Sequence, residues 1–181
     1  FFFLGVALLD CAIPSNGCKS MPSCGSCTRC LDACPTGALT APGVLDARRC
    51  LSYLTIENRA SIPVEYRSAM GNRLFGCDIC QEVCPWNARP TVYSDQELVY
   101  PVLDLKSILE MEGSGFNQQF KRTALWRATP VGLARNAAVV LGNSQEAQEV
   151  VHARKIAQHF ALHHPSALVR EHLEWALDQL V

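Results

Sequence analysis

Two cysteine runs constrain this chain more than any other feature. The first is Cys24-x2-Cys27-x2-Cys30-x3-Cys34-Pro35, the second is Cys77-x2-Cys80-x3-Cys84-Pro85, and Cys50 lies between them. The first run carries the spacing, closing Cys-Pro included, that binds two [4Fe-4S] clusters in bacterial ferredoxins, where the fourth cysteine of a run ligates the other cluster. Cys24, Cys27, Cys30 and Cys84 are therefore assigned to cluster one. Cys34, Cys77 and Cys80 go to cluster two, and Cys50, the uncommitted cysteine between the runs, completes it. Two-residue gaps let one tight loop aim successive sulfurs at one cubane. The three-residue step carries the next sulfur to the neighbouring cluster, and the proline after it ends the short helix.

Other uses of these thiols fit less well. Dense Cys-x2-Cys spacing in a chain without a signal peptide reads as metal binding rather than as a disulfide framework. Two all-cysteine zinc sites are the stronger rival, but zinc takes pairs, whereas here a triplet and a recurring Cys-Pro terminus occur. Cys11 and Cys18 fall outside the pattern and read as ordinary small residues.

The expected fold class is α+β and mostly helical, a two-cluster bacterial-ferredoxin-like domain followed by HEAT-like helical repeats. Formal net charge is −1, so no gross electrostatic preference follows. No apolar run approaches the length of a membrane span. Phe1-Phe2-Phe3-Leu4-Gly5 lacks the parts of a signal peptide and reads as an element cut from a larger protein. Residues 1–23 are expected to be a remnant of a preceding domain plus linker, 24–90 the cluster domain, 91–101 a linker and 102–181 the helical domain. Reduced thiolate ligands point to the cytoplasm.

Within the cluster domain, Thr36-Gly37 and Pro42-Gly43 signal turns. Asp46 is expected to cap a continuous helix from Ala47 to Glu57 with Cys50 and Leu54 on one face. Pro63 should start a second helix and Gly71 end it. Further on, Leu103, Ser107, Ile108 and Met111 form a stripe, broken at Gly113-Ser114-Gly115. A helix pair is expected over 116–143, ended by Gly142-Asn143, with last helices at about 145–163 and 166–181, split at His163-His164-Pro165. Leu133-Ala134-Arg135-Asn136-Ala137-Ala138 has a weak echo 35 residues later at Leu168-Val169-Arg170-Glu171-His172-Leu173. A HEAT-type solenoid would give such a period, and a plain helical bundle is the alternative. The five histidines, His152, His159, His163, His164 and His172, sit in no metal-ligand motif and read as surface or core residues.

From Phe116 to Asn136 the chain carries Lys121, Arg122, Arg127 and Arg135 and no Asp or Glu, with Phe116, Phe120 and Trp126 interleaved. A basic, aromatic-laced segment suits a nucleic-acid backbone with exposed bases. A solvated helix face over core aromatics is the favoured alternative.

Three stretches carry a family resemblance that goes beyond cluster spacing. They are CGSCTRCLDACPTGA at 24–38, LDARRCLSYLTIE at 45–57 and GNRLFGCDICQEVCPWN at 71–87. Together they resemble bacterial epoxyqueuosine reductase, because residues between the cysteines agree too. The resemblance runs from Phe1 to Val181 and thins in the helical tail, where Arg135-Asn136-Ala137-Ala138 and Gly142-Asn143 are also similar. It implies reduction of the epoxide of epoxyqueuosine at the tRNA wobble position to an alkene, giving queuosine. The implied cofactors are two [4Fe-4S] clusters and cobalamin, the latter in an N-terminal α/β domain that also holds the catalytic acid. No catalytic residue is assigned here, and the chain alone should be inactive. Electrons would pass through the clusters to cobalamin, making it nucleophilic, and the cluster of Cys34, Cys50, Cys77 and Cys80 would be the one near the corrin.

The resemblance makes Ser52 and Asp78 candidate cobalamin neighbours and Lys121, Arg122 and Arg127 candidate tRNA contacts. It implies a monomer, no membrane partner and an electron donor that the sequence does not mark. Alternative readings are another corrinoid iron–sulfur reductase of the reductive dehalogenase kind and a ferredoxin-like carrier without its own substrate. The least specific is a zinc-stabilised nucleic-acid module.

Overall fold

The structure, a computed structural model, describes residues 5–14, 17, 24–88 and 103–181. Residues 91–101, Cys18 and Phe1 to Leu4 therefore lie outside the described residues, and with them the expected linker and the first four residues of the apolar start. Among the described residues the chain is mostly helical, with one short antiparallel hairpin.

The cluster-bearing part opens with α1 (Arg29–Ala33). The hairpin strands β1 (Leu39–Ala41) and β2 (Val44–Leu45) follow, joined through Pro42 and Gly43. Gly43 holds φ at +73°, a left-handed conformation that glycine enters without a Cβ penalty. A 3-10 turn over Ala47–Arg49 precedes α2 (Leu51–Ile56). The expected continuous helix is thus broken at Cys50, whose backbone is extended (φ −74°, ψ 121°). The Asp46 carboxylate accepts from Arg48 N–H and caps only the first turn, while the Cys50 carbonyl accepts from Leu54 N–H and starts the second. α3 (Val64–Met70) begins after Pro63 and ends at Gly71, as the punctuation predicts, and α4 (Ile79–Glu82) follows the second Cys-x2-Cys loop.

The helical part comprises α5 (Leu105–Glu110), α6 (Gly113–Phe120), a 3-10 segment (Ala124–Ala128), α7 (Pro130–Gly142), α8 (Ala147–His163) and α9 (Ala167–Gln179). The break expected at Gly113 to Gly115 falls instead at Met111 and Glu112, both extended. Gly113 opens α6, where first-turn N–H groups have no intrahelical acceptor to lose. Ser107 is exposed and bonded to Asp104, so the buried face of α5 is Ile108 and Leu109.

α7 is the hub. Residues 132–139 are buried without interruption, as expected of a helix packed on every side. Leu133, Ala134, Ala137, Ala138 and Leu141 join the core of the helical part. Val139 joins Leu51, Leu54, Ile62 and Met70 of the cluster-bearing part. The echoing segments at 133–138 and 168–173 lie on α7 and α9, which pack closely. A Cβ on Gly142 would stand 2.7 Å from the Trp175 ring and 2.8 Å from Ala176 Cα.

Two polar side chains of α7 and its C-cap residue Asn143 bind backbone carbonyls of the cluster-bearing part. Arg135 donates to Leu54 O (2.7 Å), Asn58 O (2.9 Å) and Ala60 O (2.6 Å). Asn136 donates to Thr55 O and Leu74 O, and Asn143 to Arg67 O and Gly71 O. α9 adds His172, whose Nε2 accepts from Ile62 N–H at 3.1 Å while its Nδ1–H faces Leu168 O at 2.7 Å. Buried Arg67 pairs with Glu171 and lies 5.6 Å from the centre of the Trp175 ring.

Two outcomes follow. Gly142→Ala should lower stability by about 1–3 kcal/mol, read from denaturant unfolding, because the helix contact has no room for a methyl. Burial holds His172 well below its usual range, at about 4. The unfolded imidazole takes up its proton near ~6.5, so below that pH the unfolded state binds more protons and stability falls. Between pH 7 and pH 5 the wild type should lose on the order of 2 kcal/mol more than His172→Gln.

Candidate metal centre

Cysteines sit at the joints of the short helices. Cys34 closes α1, Cys50 precedes α2 and Cys84 precedes a 3-10 turn over Pro85–Asn87, all three extended with ψ between 112° and 122°. For Cys34 and Cys84 the cause is local, since a following proline disfavours helical backbone at the residue before it. Cys27, Cys30 and Cys34 recur 50 residues later as Cys77, Cys80 and Cys84. The backbone repeats with them: Thr28 and Asp78 open α1 and α4 with nearly equal dihedrals (φ −115°, ψ 4° and φ −113°, ψ 11°). α1 packs against α4. The residue 50 positions after Cys24 is Leu74, so the second run lacks its own first cysteine.

The side chains gather around two cavities. One, of about 240 Å³, is lined by Cys24, Cys27, Cys30 and Cys84 with Arg29, Pro85 and Trp86. The other, of about 380 Å³, is lined by Cys34, Cys50, Cys77 and Cys80. Ser52 and Asp78 stand on the wall of the second cavity, with Leu39, Leu45 and Ile79. Asp78 occupies the N-cap position of α4 but its carboxylate makes no cap bond.

The donor set tests what these cavities suit. Among the described residues no group of three or more Cys, His, Asp or Glu converges tightly enough to hold a single metal ion. A lone zinc draws its sulfurs to ~2.3 Å from one point, whereas a cubane is a larger body and spreads its four thiolates. Four cysteines line each of two cavities, the number of thiolates that a [4Fe-4S] cubane takes.

The local field differs between thiols. Burial alone would raise the Cys34 thiol, but N–H groups of Leu39, Thr36 and Ala38 and the Thr36 hydroxyl outweigh it, and the net shift is downward. The Ala38 N–H lies 3.3 Å from Cys34 Sγ. Burial pushes the Cys80 thiol up, and neighbouring Cys77, Cys50 and Cys30 add to that. Cys30 belongs to the other ring, so the two rings are electrostatic neighbours. Cys11 is exposed and joins neither.

The basic segment divides by burial. Phe116 and Phe120 are core residues packed edge to face, so neither offers a ring to a base. Trp126 is half-exposed, its Nε1–H donating to Asn117 Oδ1. Arg135 is fully buried in the contact described above. Lys121 and Arg122 are exposed, and Arg127 is exposed and paired with Glu57. Sequence reasoning missed Arg135, Asn136 and Asn143 as contact residues. Their only signal was two polar side chains inside an otherwise apolar helix and a third at its C-cap.

Comparison with known proteins places the cysteines in a family context. Residues 23–87 match the 4Fe-4S double cluster binding domain. Epoxyqueuosine reductase of Pseudomonas aeruginosa is 44% identical over 98% of this chain, and that of Xanthomonas campestris 40% over 99%. The chain spans about half the length of these relatives, 49% and 50%. Among solved structures, epoxyqueuosine reductase of Streptococcus thermophilus is similar with a TM-score of 0.78 at 29% identity. A crystal structure of an epoxyqueuosine reductase with a tRNA-Tyr epoxyqueuosine-modified tRNA stem loop is similar with a TM-score of 0.75 at 35% identity. Each similarity covers 93% of this chain and 44% of the other.

Proposed function

Because this chain is homologous over nearly its whole length to the epoxyqueuosine reductases, and carries their iron–sulfur cluster-binding domain, we propose that it forms the electron-relay part of such an enzyme. The reaction is reduction of epoxyqueuosine to queuosine at the wobble position of a tRNA. The observation that carries this reading is the sorting of eight cysteines into two four-sulfur cavities. Cys24, Cys27, Cys30 and Cys84 hold one [4Fe-4S] cluster, and Cys34, Cys50, Cys77 and Cys80 hold the other. Bound there, the clusters supply one-electron transfer at potentials set by hydrogen bonds and solvent around the sulfurs. The protein's part is to hold the thiolates, to donate N–H groups toward Cys34, and to keep the two rings adjacent.

Cobalamin, bound mainly outside these residues, supplies the reducing centre for the epoxide. Ser52 and Asp78 are its candidate neighbours here, because they share the second cavity with four cluster cysteines and the Asp78 carboxylate is not consumed by a cap. The helical part, read as HEAT-like from the α7 and α9 echo, offers Lys121, Arg122 and Arg127 to the tRNA backbone. Arg127 is the weakest of the three, since Glu57 already neutralises it. Among the described residues no helix is long and apolar enough to cross a membrane. We place the reaction in the cytoplasm, with a monomeric enzyme fed by a separate electron donor.

Anaerobic reconstitution with iron and sulfide tests the core of this reading. About eight irons per chain, a broad band near ~400 nm and interacting cubane signals in the reduced EPR spectrum are expected. Two tightly held zinc ions and no chromophore would sink it. Cys50→Ser should abolish or alter one cluster signal and spare the other, and two intact signals would make Cys50 a spectator. For RNA, Lys121→Ala with Arg122→Ala should weaken stem-loop binding and reduce the slope of log affinity against log salt by roughly 1–2. An unchanged slope would return both residues to a solvated face.

A further inference from the structure

The helical part reaches two of the segments that present cysteines to the second cavity. Asn136 Nδ2 donates to Thr55 O at 2.8 Å and to Leu74 O at 3.0 Å. Thr55 lies on α2, the helix that begins at Cys50. Leu74 lies in the turn that runs into Cys77. The two segments are also tied to each other. Gly76 N–H donates to Thr55 Oγ1 at 2.9 Å, and that hydroxyl donates to Leu51 O at 2.7 Å. Gly76 stands in the left-handed region (φ +78°) immediately before Cys77, so its N–H bond fixes how the chain enters the cysteine loop.

Thr55 and Asn136 are both fully buried. Water cannot replace these bonds, and a buried amide or hydroxyl left without its partner is costly. Groups that hold metal ligands in place tune the metal as well as its affinity. The first cavity is built differently, with local bonds such as Cys27 N–H to Cys24 O and Asn87 N–H to Cys84 O.

We infer that Asn136 and Thr55 are positioning residues for the cluster held by Cys34, Cys50, Cys77 and Cys80. Asn136 fixes the Cys50 helix and the Cys77 turn from the helical side, and the Thr55 hydroxyl locks the two to each other. The inference rests on the two-cluster reading above. Its consequence is that one of the two clusters takes its ligand geometry from the helical part while the other does not.

Asn143 supplies an internal control. Its Nδ2 donates to Arg67 O at 2.9 Å and Gly71 O at 3.0 Å, so it makes the same kind of bond across the same contact. Its targets lie on and just after α3, which carries no cysteine.

The test uses the reconstituted full chain with Thr55→Val, Asn136→Ala and Asn143→Ala, following iron content, the reduced EPR spectrum and a redox titration. The signal that Cys50→Ser alters identifies the second cluster. Thr55→Val and Asn136→Ala should shift that signal's midpoint by at least a threefold change in the reduced-to-oxidised ratio at fixed poise, or empty that cluster, and leave the other signal unmoved. Asn143→Ala should lower the unfolding midpoint while leaving both signals in place. The inference is overturned if Thr55→Val leaves both signals where the wild type has them, or if Asn143→Ala moves the second cluster as far as Thr55→Val does. Thr55→Val exchanges a hydroxyl for a methyl in place, so the comparison holds even where Asn136→Ala does not fold. A wild type without two cubanes would overturn the parent reading, and this inference with it.

Discussion

Arg135 and Asn136 stand side by side on α7 with no solvent exposure, and the contact between the two parts of the molecule is organised around them. A buried guanidinium is costly unless its donors are satisfied. Burial first, then the nearby charges of Arg59 and Arg67, bring Arg135 down to about 10, which still leaves it charged at neutral pH. Among the described residues no carboxylate neutralises it at hydrogen-bond distance. Three backbone carbonyls and the Asn136 amide oxygen take its donors instead. Those carbonyls lie at the end of α2 and just beyond it, where the last turn of a helix leaves acceptors without intrahelical donors. Each side thus satisfies what the other exposes, and removing either would strand buried polar groups.

The cluster-bearing part gains its apolar core through that contact. Short helices of four to six residues, such as α1, α2 and α4, are too short to be stable alone. The cluster-bearing part has a small apolar core, Leu51, Leu54, Ile62 and Met70, completed by Val139 from α7. A cluster supplies the remaining cross-link in proteins of this kind, because metal binding and folding share one free energy. Helix α7 therefore serves two cores, which accounts for its uninterrupted burial and for the close approach at Gly142.

Chain order alone would not suggest that division of labour. In sequence the basic segment reads as a nucleic-acid surface or, the favoured alternative, as a solvated face over core aromatics, and its members take different places. Arg135 belongs to the interior, Arg127 is tied to Glu57, and Lys121 and Arg122 face solvent. Phe116 and Phe120 belong to the core of the helical part. Arg59 adds a second tie to the 3-10 segment by donating to Arg127 O at 2.7 Å. Helix periodicity predicts which residues share a face, but not whether that face meets water or another part of the chain.

What the sequence determined by itself is local chemistry. Cysteine spacing and the Cys-Pro closures force extended backbone at Cys34 and Cys84, and Pro63 and Gly71 bound α3 because ring closure and left-handed backbone act within a residue or two. Spacing suggests grouping the cysteines by fours, and Cys34, Cys50, Cys77 and Cys80 line one cavity while Cys24, Cys27, Cys30 and Cys84 line another. Tertiary structure decided the rest. It broke the helix at Cys50, which lines a cavity shared with Cys34, Cys77 and Cys80. It buried Arg135, Asn136 and His172 against carbonyl and amide groups supplied from more than 60 residues away. Hydrogen bonds across such distances leave no periodic trace, since their geometry exists only once the two parts are packed.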